Sequence, residues 1–146
     1  MAAPRDRAVS IVVNEEGAVL VIRRQSSERD YCVLPGGGVE DGESGSDAAL
    51  RELVEETGLH GCVVRKLWTI SHPDRVGHYY LVSAASGPLR LGGPERELQS
   101  PTNWHRPEWV QVNQLEAANL QPSELRPLLI ALDRDGCQHR DPADGN

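Results

Sequence analysis

Between Gly37 and Leu59 the chain sets four glutamates in a fixed frame: Gly37, five residues, Glu43, seven residues, then Arg51-Glu52-Leu53-Val54-Glu55-Glu56-Thr57-Gly58-Leu59. From average residue usage, such a set of fixed positions arises by chance at a given start with a probability on the order of 10^-9, so the spacing calls for a chemical reason. Ala48, Ala49, Leu50, Leu53 and Val54 recur at helical intervals with no proline or glycine among them, which predicts a helix that Gly58 ends. At about 100° per residue the periodicity expects Ala49, Leu50, Leu53 and Val54 on one stripe and Glu52, Glu55 and Glu56 roughly opposite. Like charges that close destabilise a helix, and a divalent cation reverses the sign of the interaction. Hard cations such as Mg2+ favour oxygen ligands and bind through one or two carboxylates plus substrate phosphates.

Just upstream, Pro35-Gly36-Gly37-Gly38 reads as a loop whose backbone can approach a ligand closely, with carbonyls or amides turned inward. Such a loop can complete a metal site.

Together these residues resemble the Nudix box of the MutT-like pyrophosphohydrolases, filling every fixed position of that pattern and including Pro35-Gly36 before it. The resemblance implies that a backbone carbonyl at Gly36 joins Glu52, Glu55 and Glu56 in holding Mg2+, with Mn2+ as a substitute, while Arg51 and Glu43 brace the carboxylates. It implies hydrolysis of a phosphoanhydride in a nucleoside diphosphate linked to another group, such as a dNTP, a nucleotide sugar or a dinucleotide. The general base is then a glutamate of the box or of a later loop. Glu52 is placed first, and Glu95 and Glu97, in Gly92-Gly93-Pro94-Glu95-Arg96-Glu97, are the late-loop candidates that spacing does not separate. The implied fold is an α/β/α sandwich with a mixed sheet and the box helix on one face.

The chain of 146 residues has the length of one ordinary domain, expected over residues 1–136 with a frayed polar tail over 137–146. Hydrophobic content of 38%, 25% charge and no long apolar run point to a soluble protein without a membrane span. The first residues carry no apolar segment of signal-peptide length, so a cytoplasmic address is expected. A net charge of −7 opposes binding to polymeric nucleic acid, which depends on Lys and Arg neutralising phosphates. A small phosphorylated substrate is not opposed, since bound metal and a few arginines can outweigh the global charge within a cleft. Cys32, Cys62 and Cys137 are widely spaced, with neither CxxC nor paired histidine spacing, and read as free thiols acting as small apolar residues. The resemblance is compatible with a homodimer, although no specific self-association signal is present.

The elements that must position the box follow from pattern. Residues 8–13 and 18–23 are β-prone runs around Asn14-Glu15-Glu16-Gly17, a hairpin signal. A short strand is expected over 31–34, the box helix over about 45–57 with Ser44 or Ser46 as N-cap, and further strands near 62–71, 78–85 and 109–112. Ser123 precedes a helix whose Leu125, Leu128, Leu129 and Leu132 form one stripe, with Pro127 tolerated early in it.

For substrate phosphates, Arg23 and Arg24 close the second strand, and alternation sends only one of them inward; position relative to the family pattern favours Arg24. For a nucleobase, Tyr31, Tyr79 and Trp104 are the candidate platforms, with Tyr31 or Trp104 favoured for stacking and Trp68 and Trp109 assigned to the core. Pro73 stands about where members acting on ADP-ribose often carry a proline. Two other readings compete with the hydrolase: a Nudix-fold sensor that binds a nucleotide without cutting it, and a partner-binding domain with a merely solvated acidic helix. The full glutamate set argues against the first, and the absence of an apolar surface stripe against the second.

Overall fold

The computed structural model describes residues 5–84, 89 and 104–134. Among the described residues seven strands divide between two sheets: β1 (Arg5–Ile11), β2 (Ala18–Gln25), β3 (Asp30–Val33), β4 (Gly36–Gly38), β5 (Gly61–His72), β6 (Arg75–Ala84) and β7 (Trp104–Gln111). One sheet runs β4-β1-β6-β5 and the other β3-β2-β7. The first is mixed, because β1 lies parallel to β6 and antiparallel to β4, while the second is antiparallel throughout. Helix α1 (Gly45–Thr57) packs on β1, β4 and β6. Helix α2 (Leu125–Arg134) buries Leu125, Leu129 and Leu132 in the other core cluster, with Val9, Ile11, Val19, Val21 and Tyr79. Helices thus flank the strands on two sides, the layered α/β/α arrangement with a mixed sheet.

The hairpin expected around Asn14 forms its turn but not its ladder. Asn14 Oδ1 accepts from the amides of Glu16 and Ala18 at 2.9 Å each, and Gly17 takes a left-handed φ of 79°. Pairing between the arms stops at the single bridge Val13↔Val19, after which the chains diverge into different sheets. The physical reason is burial: Ala18 to Ile22 are all at most 4% exposed, so β2 needs neighbours and cover on every side.

Three further expectations shift. The glycine segment is not a loop but strand β4, paired with Arg7 to Val9. A Cβ at Gly36 would lie 2.6 Å from the Ala8 carbonyl oxygen, so only glycine admits this close pairing. Strand β7 begins at Trp104, five residues before the expected start, and β5 and β6 run to within a two-residue turn at Pro73 and Asp74. Cys62 is exposed rather than apolar filler, while Cys32 is fully buried; Cys137 and the tail lie outside the described residues. Trp68 and Trp109 are half-buried against the two main clusters. No helix among the described residues is long and apolar enough to cross a membrane.

Candidate active site

Helix α1 has the expected ends. Ser44 caps it, its Oγ accepting from the Asp47 amide at 3.1 Å, and Gly58 closes it with φ 77°, its N–H donating to the Val54 carbonyl. A serine cap contributes about 1 kcal/mol. Which face the helix buries departs from the periodicity. Ala48, Ala49, Leu53, Thr57 and Glu56 are the buried set, with Glu56 only 2% exposed. On a helical wheel at about 100° per residue, Glu56 sits in the middle of that buried arc, Glu52 beside it and Glu55 at its rim. The expectation that all three acids stand opposite the apolar stripe is therefore corrected. Leu50 and Val54, assigned to the stripe, are only half-buried.

What buries Glu56 is the glycine strand. The Gly36 amide donates to Glu56 Oε1 at 2.8 Å, so the carboxylate caps the backbone of β4. Glu52 lies against the next residue: a Cβ at Gly37 would stand 2.1 Å from Glu52 Oε2. The Glu52 side chain is 13% exposed and that of Glu55 48%, a gradient from the strand towards solvent.

Arg51 ties the acids to the preceding turn. Its Nε and Nη2 donate to the two Glu43 oxygens at 2.9 and 3.0 Å, and Nη2 donates to the Gly38 carbonyl at 3.0 Å. Its Nη1 is 3.6 Å from both Glu52 and Glu55. Through this bidentate bond from Arg51 the Glu43 carboxyl is held below the usual carboxylate range, and the bond to Glu43 holds the Arg51 guanidinium above its ordinary value. Arg51 thus contacts Glu43, Glu52 and Glu55 at once.

The donor set suits a hard cation, being carboxylate oxygen beside backbone, with the glycine cradle leaving room for the Glu52 carboxylate where any side chain would collide. Among the described residues no three acidic, histidine or cysteine side chains already converge as a cluster able to hold a metal. Mg2+ binding does not require one, since it uses one or two carboxylates plus substrate phosphates. Glu52 and Glu56, one helical turn apart, offer that pair.

Beside Gly36 opens a pocket lined by Arg7, Val9, Arg24, Val33, His72, Arg75, Tyr79 and Gln121 among others. Arg23 and Arg24 take opposite faces of β2. Arg23 pairs with Glu108 and, at 3.4 Å, with Asp30, whereas Arg24 lines the pocket with its Nε buried and, among the described residues, without a hydrogen-bond partner. Tyr31 and Trp104 do not line the pocket: Arg29 covers the Tyr31 ring at 4.2 Å and Arg106 the Trp104 ring at 4.8 Å. Glu95 and Glu97 lie outside the described residues. Pattern reading missed Arg7, His72, Arg75 and Gln121. Only the Pro73-Asp74 turn hinted at His72 and Arg75, which flank it. Gln121 reaches the pocket because its amide bonds the Cys32 carbonyl at 2.9 Å while the Cys32 amide bonds Asn119, docking this segment on β3.

The family model for the NUDIX domain matches residues 4–130. The ADP-ribose pyrophosphatase of Methanocaldococcus jannaschii is 34% identical over 99 residues, 63% of this chain and 59% of that protein; this chain therefore spans less than two thirds of that relative. The RNA pyrophosphohydrolase of Novosphingobium aromaticivorans is 42% identical over 126 residues, covering 72% of this chain and 76% of that one. Among solved structures, the MutT NUDIX hydrolase of Burkholderia pseudomallei superposes with a TM-score of 0.68 at 24% identity, covering 88% of this chain and 99% of that one.

Proposed function

Because the chain belongs to the Nudix family, we propose that it is a divalent-metal-dependent hydrolase that cuts a phosphoanhydride in a small nucleoside diphosphate derivative. The observation that carries this reading is the seating of Glu52 and Glu56 on the Gly36–Gly37 backbone, at the edge of a pocket large enough for part of a substrate. Glu52, Glu55, Glu56 and the Gly36 carbonyl are the groups that would hold Mg2+ or Mn2+. Such an ion, when bound, neutralises anhydride charge, polarises phosphorus and lowers the pKa of water.

The protein's own residues supply the rest. Arg51 steadies Glu52 and Glu55, since its guanidinium is within 3.6 Å of both. Glu52, next to the helix surface that faces β4, accepts the proton of the attacking water at a carboxylate oxygen. Water oxygen then bonds to phosphorus, the bridging anhydride bond breaks, and two phosphate products leave. Arg24, unpaired among the described residues, meets substrate phosphate in the pocket. Residues 1–136 act as one catalytic domain.

Two relatives named for ADP-ribose and for RNA support hydrolysis of an anhydride without choosing its substrate. The test is a panel of dNTPs, nucleotide sugars and dinucleotides incubated with Mg2+, with products identified by mass. Turnover of any member above the metal-free control supports the reading. Binding of a member with no turnover under any divalent ion would replace it with the sensor.

A further inference from the structure

The pocket beside Gly36 is charged with one sign in a protein charged with the other. The chain carries −7 overall, yet Arg7, Arg24 and Arg75 line this cavity, His72 stands with them, and among the described residues no Asp or Glu lines it. A carboxylate does come near, since Glu124 Oε1 is 3.1 Å from His72 Nε2, but none is paired with Arg7, Arg24 or Arg75 among the described residues. Three arginines from β1, β2 and β6 facing one space repel each other, and each is permanently protonated. Among the described residues Arg24 Nε is also buried without a partner, a cost that a bound anion would remove.

The walls are poorly made for a base. Among the described residues Tyr79 is the aromatic side chain lining the pocket, and at 6% exposure it presents little ring face for stacking. The cavity of 220 Å³ is smaller than the roughly 300–1,000 Å³ that takes a drug-sized ligand. Gly36 joins this cavity to the acids, for its amide holds Glu56 while its edge lines the pocket. A chain of phosphates starting at the carboxylates can continue past Gly36 into the arginines.

We propose that the Arg7–Arg24–Arg75 pocket seats a further phosphate of the substrate, so that the preferred substrate is a nucleoside oligophosphate with at least three consecutive phosphates rather than a nucleotide sugar. This rests on the hydrolase reading above for the position of the cut, but the pocket's own chemistry is tested by binding alone. The arginines recognise charge and bidentate oxygen geometry, so affinity falls as salt screens Arg7 and Arg75, which are exposed.

The experiment titrates inorganic tripolyphosphate, and separately adenosine and guanosine, into the full chain in EDTA by calorimetry. Tripolyphosphate is expected to bind, and to weaken at least about tenfold between about 50 and about 500 mM salt. The nucleosides are expected to bind far more weakly. An Arg7→Gln, Arg75→Gln double variant, folded by circular dichroism, is expected to lose at least about tenfold in tripolyphosphate affinity. With Mg2+, its kcat/KM for a nucleoside triphosphate is expected to fall more than that for a nucleotide sugar. No tripolyphosphate binding, equal binding by the variant, or tighter binding of a nucleoside overturns the assignment. Metal-dependent turnover alongside such a failure leaves the hydrolase standing, whereas tripolyphosphate binding with no turnover on the whole panel supports the pocket and sinks the hydrolase.

Discussion

Gly37→Ala isolates the glycine cradle from the rest of the site. An alanine Cβ there would meet Glu52 Oε2 at 2.1 Å and Cδ at 2.4 Å, against an ordinary contact of 3.4 Å or more. The carboxylate must therefore retreat by at least about 1 Å, and a misplacement of that size costs roughly 100-fold in rate. The colliding atoms are the far end of a flexible side chain and Gly37 has no positive φ, so the fold absorbs the change at a cost of under about 1 kcal/mol. The assay is steady-state hydrolysis of the best panel substrate with Mg2+, paired with thermal melting. A fall in kcat of about two orders of magnitude with a shift in Tm of no more than a few degrees is expected. Gly38→Ala is the matched control, since its Cβ meets nothing within 4 Å. If Gly37→Ala retains activity within a factor of about two, the placement of Glu52 against β4 plays no part in turnover and the reasoning fails.

Other perturbations separate stability from chemistry. Gly36→Ala drives its Cβ to 2.6 Å from Ala8 O and 2.9 Å from Val9 Cα, backbone that cannot yield, and is expected to lower stability by more than about 2 kcal/mol in denaturant titration. Glu56→Gln keeps an oxygen for the Gly36 amide but removes the charge, so activity should drop by about 100-fold or more while the melting temperature moves little; Glu55→Gln tests the rim acid in the same assay. Burial pushes the Cys32 thiol up to about 11, so at pH 8 native protein should be alkylated at exposed Cys62 and spared at Cys32 until unfolded, as peptide mass mapping reads directly. The same shift adds stability while the thiol stays neutral, and that contribution is lost as pH rises from the ordinary thiol range towards about 11. Because Arg51 holds Glu43 below the usual carboxylate range, the brace contributes above that range and is lost as pH falls through it; Glu43→Gln should flatten the acid limb of a stability profile.

Local signals in the sequence carried the box helix to the residue, because Ser44 and Gly58 punctuate it and its apolar positions repeat regularly. The same periodicity misassigned Glu56. A wheel ranks side chains by polarity, and here a charged side chain is buried since the amide of Gly36, twenty residues away, is there to bond it. The glycine strand was unreadable as a strand for a related reason: three glycines have no β propensity, and their pairing comes from the close approach of β1. The Asn14 turn was legible and the ladder it implied was not, since which sheet each arm joins depends on partners far along the chain. Arg24 could be singled out by alternation, but Arg7, His72, Arg75 and Gln121 meet it only through long-range register.

The two halves of the site differ in how they are inherited. The hydrogen bonds that tie Glu56 and Glu43 to Gly36 and Arg51 all lie between Gly36 and Glu56, so they travel as one short cassette seated on β1. The pocket instead borrows single side chains from strands and segments scattered between Arg7 and Leu125. On the proposed reading, one substitution at Arg7, His72 or Arg75 would redirect which molecule is accepted without disturbing the bonds between Gly36 and Glu56, so descendants of this chain would diversify in diet while keeping the same teeth.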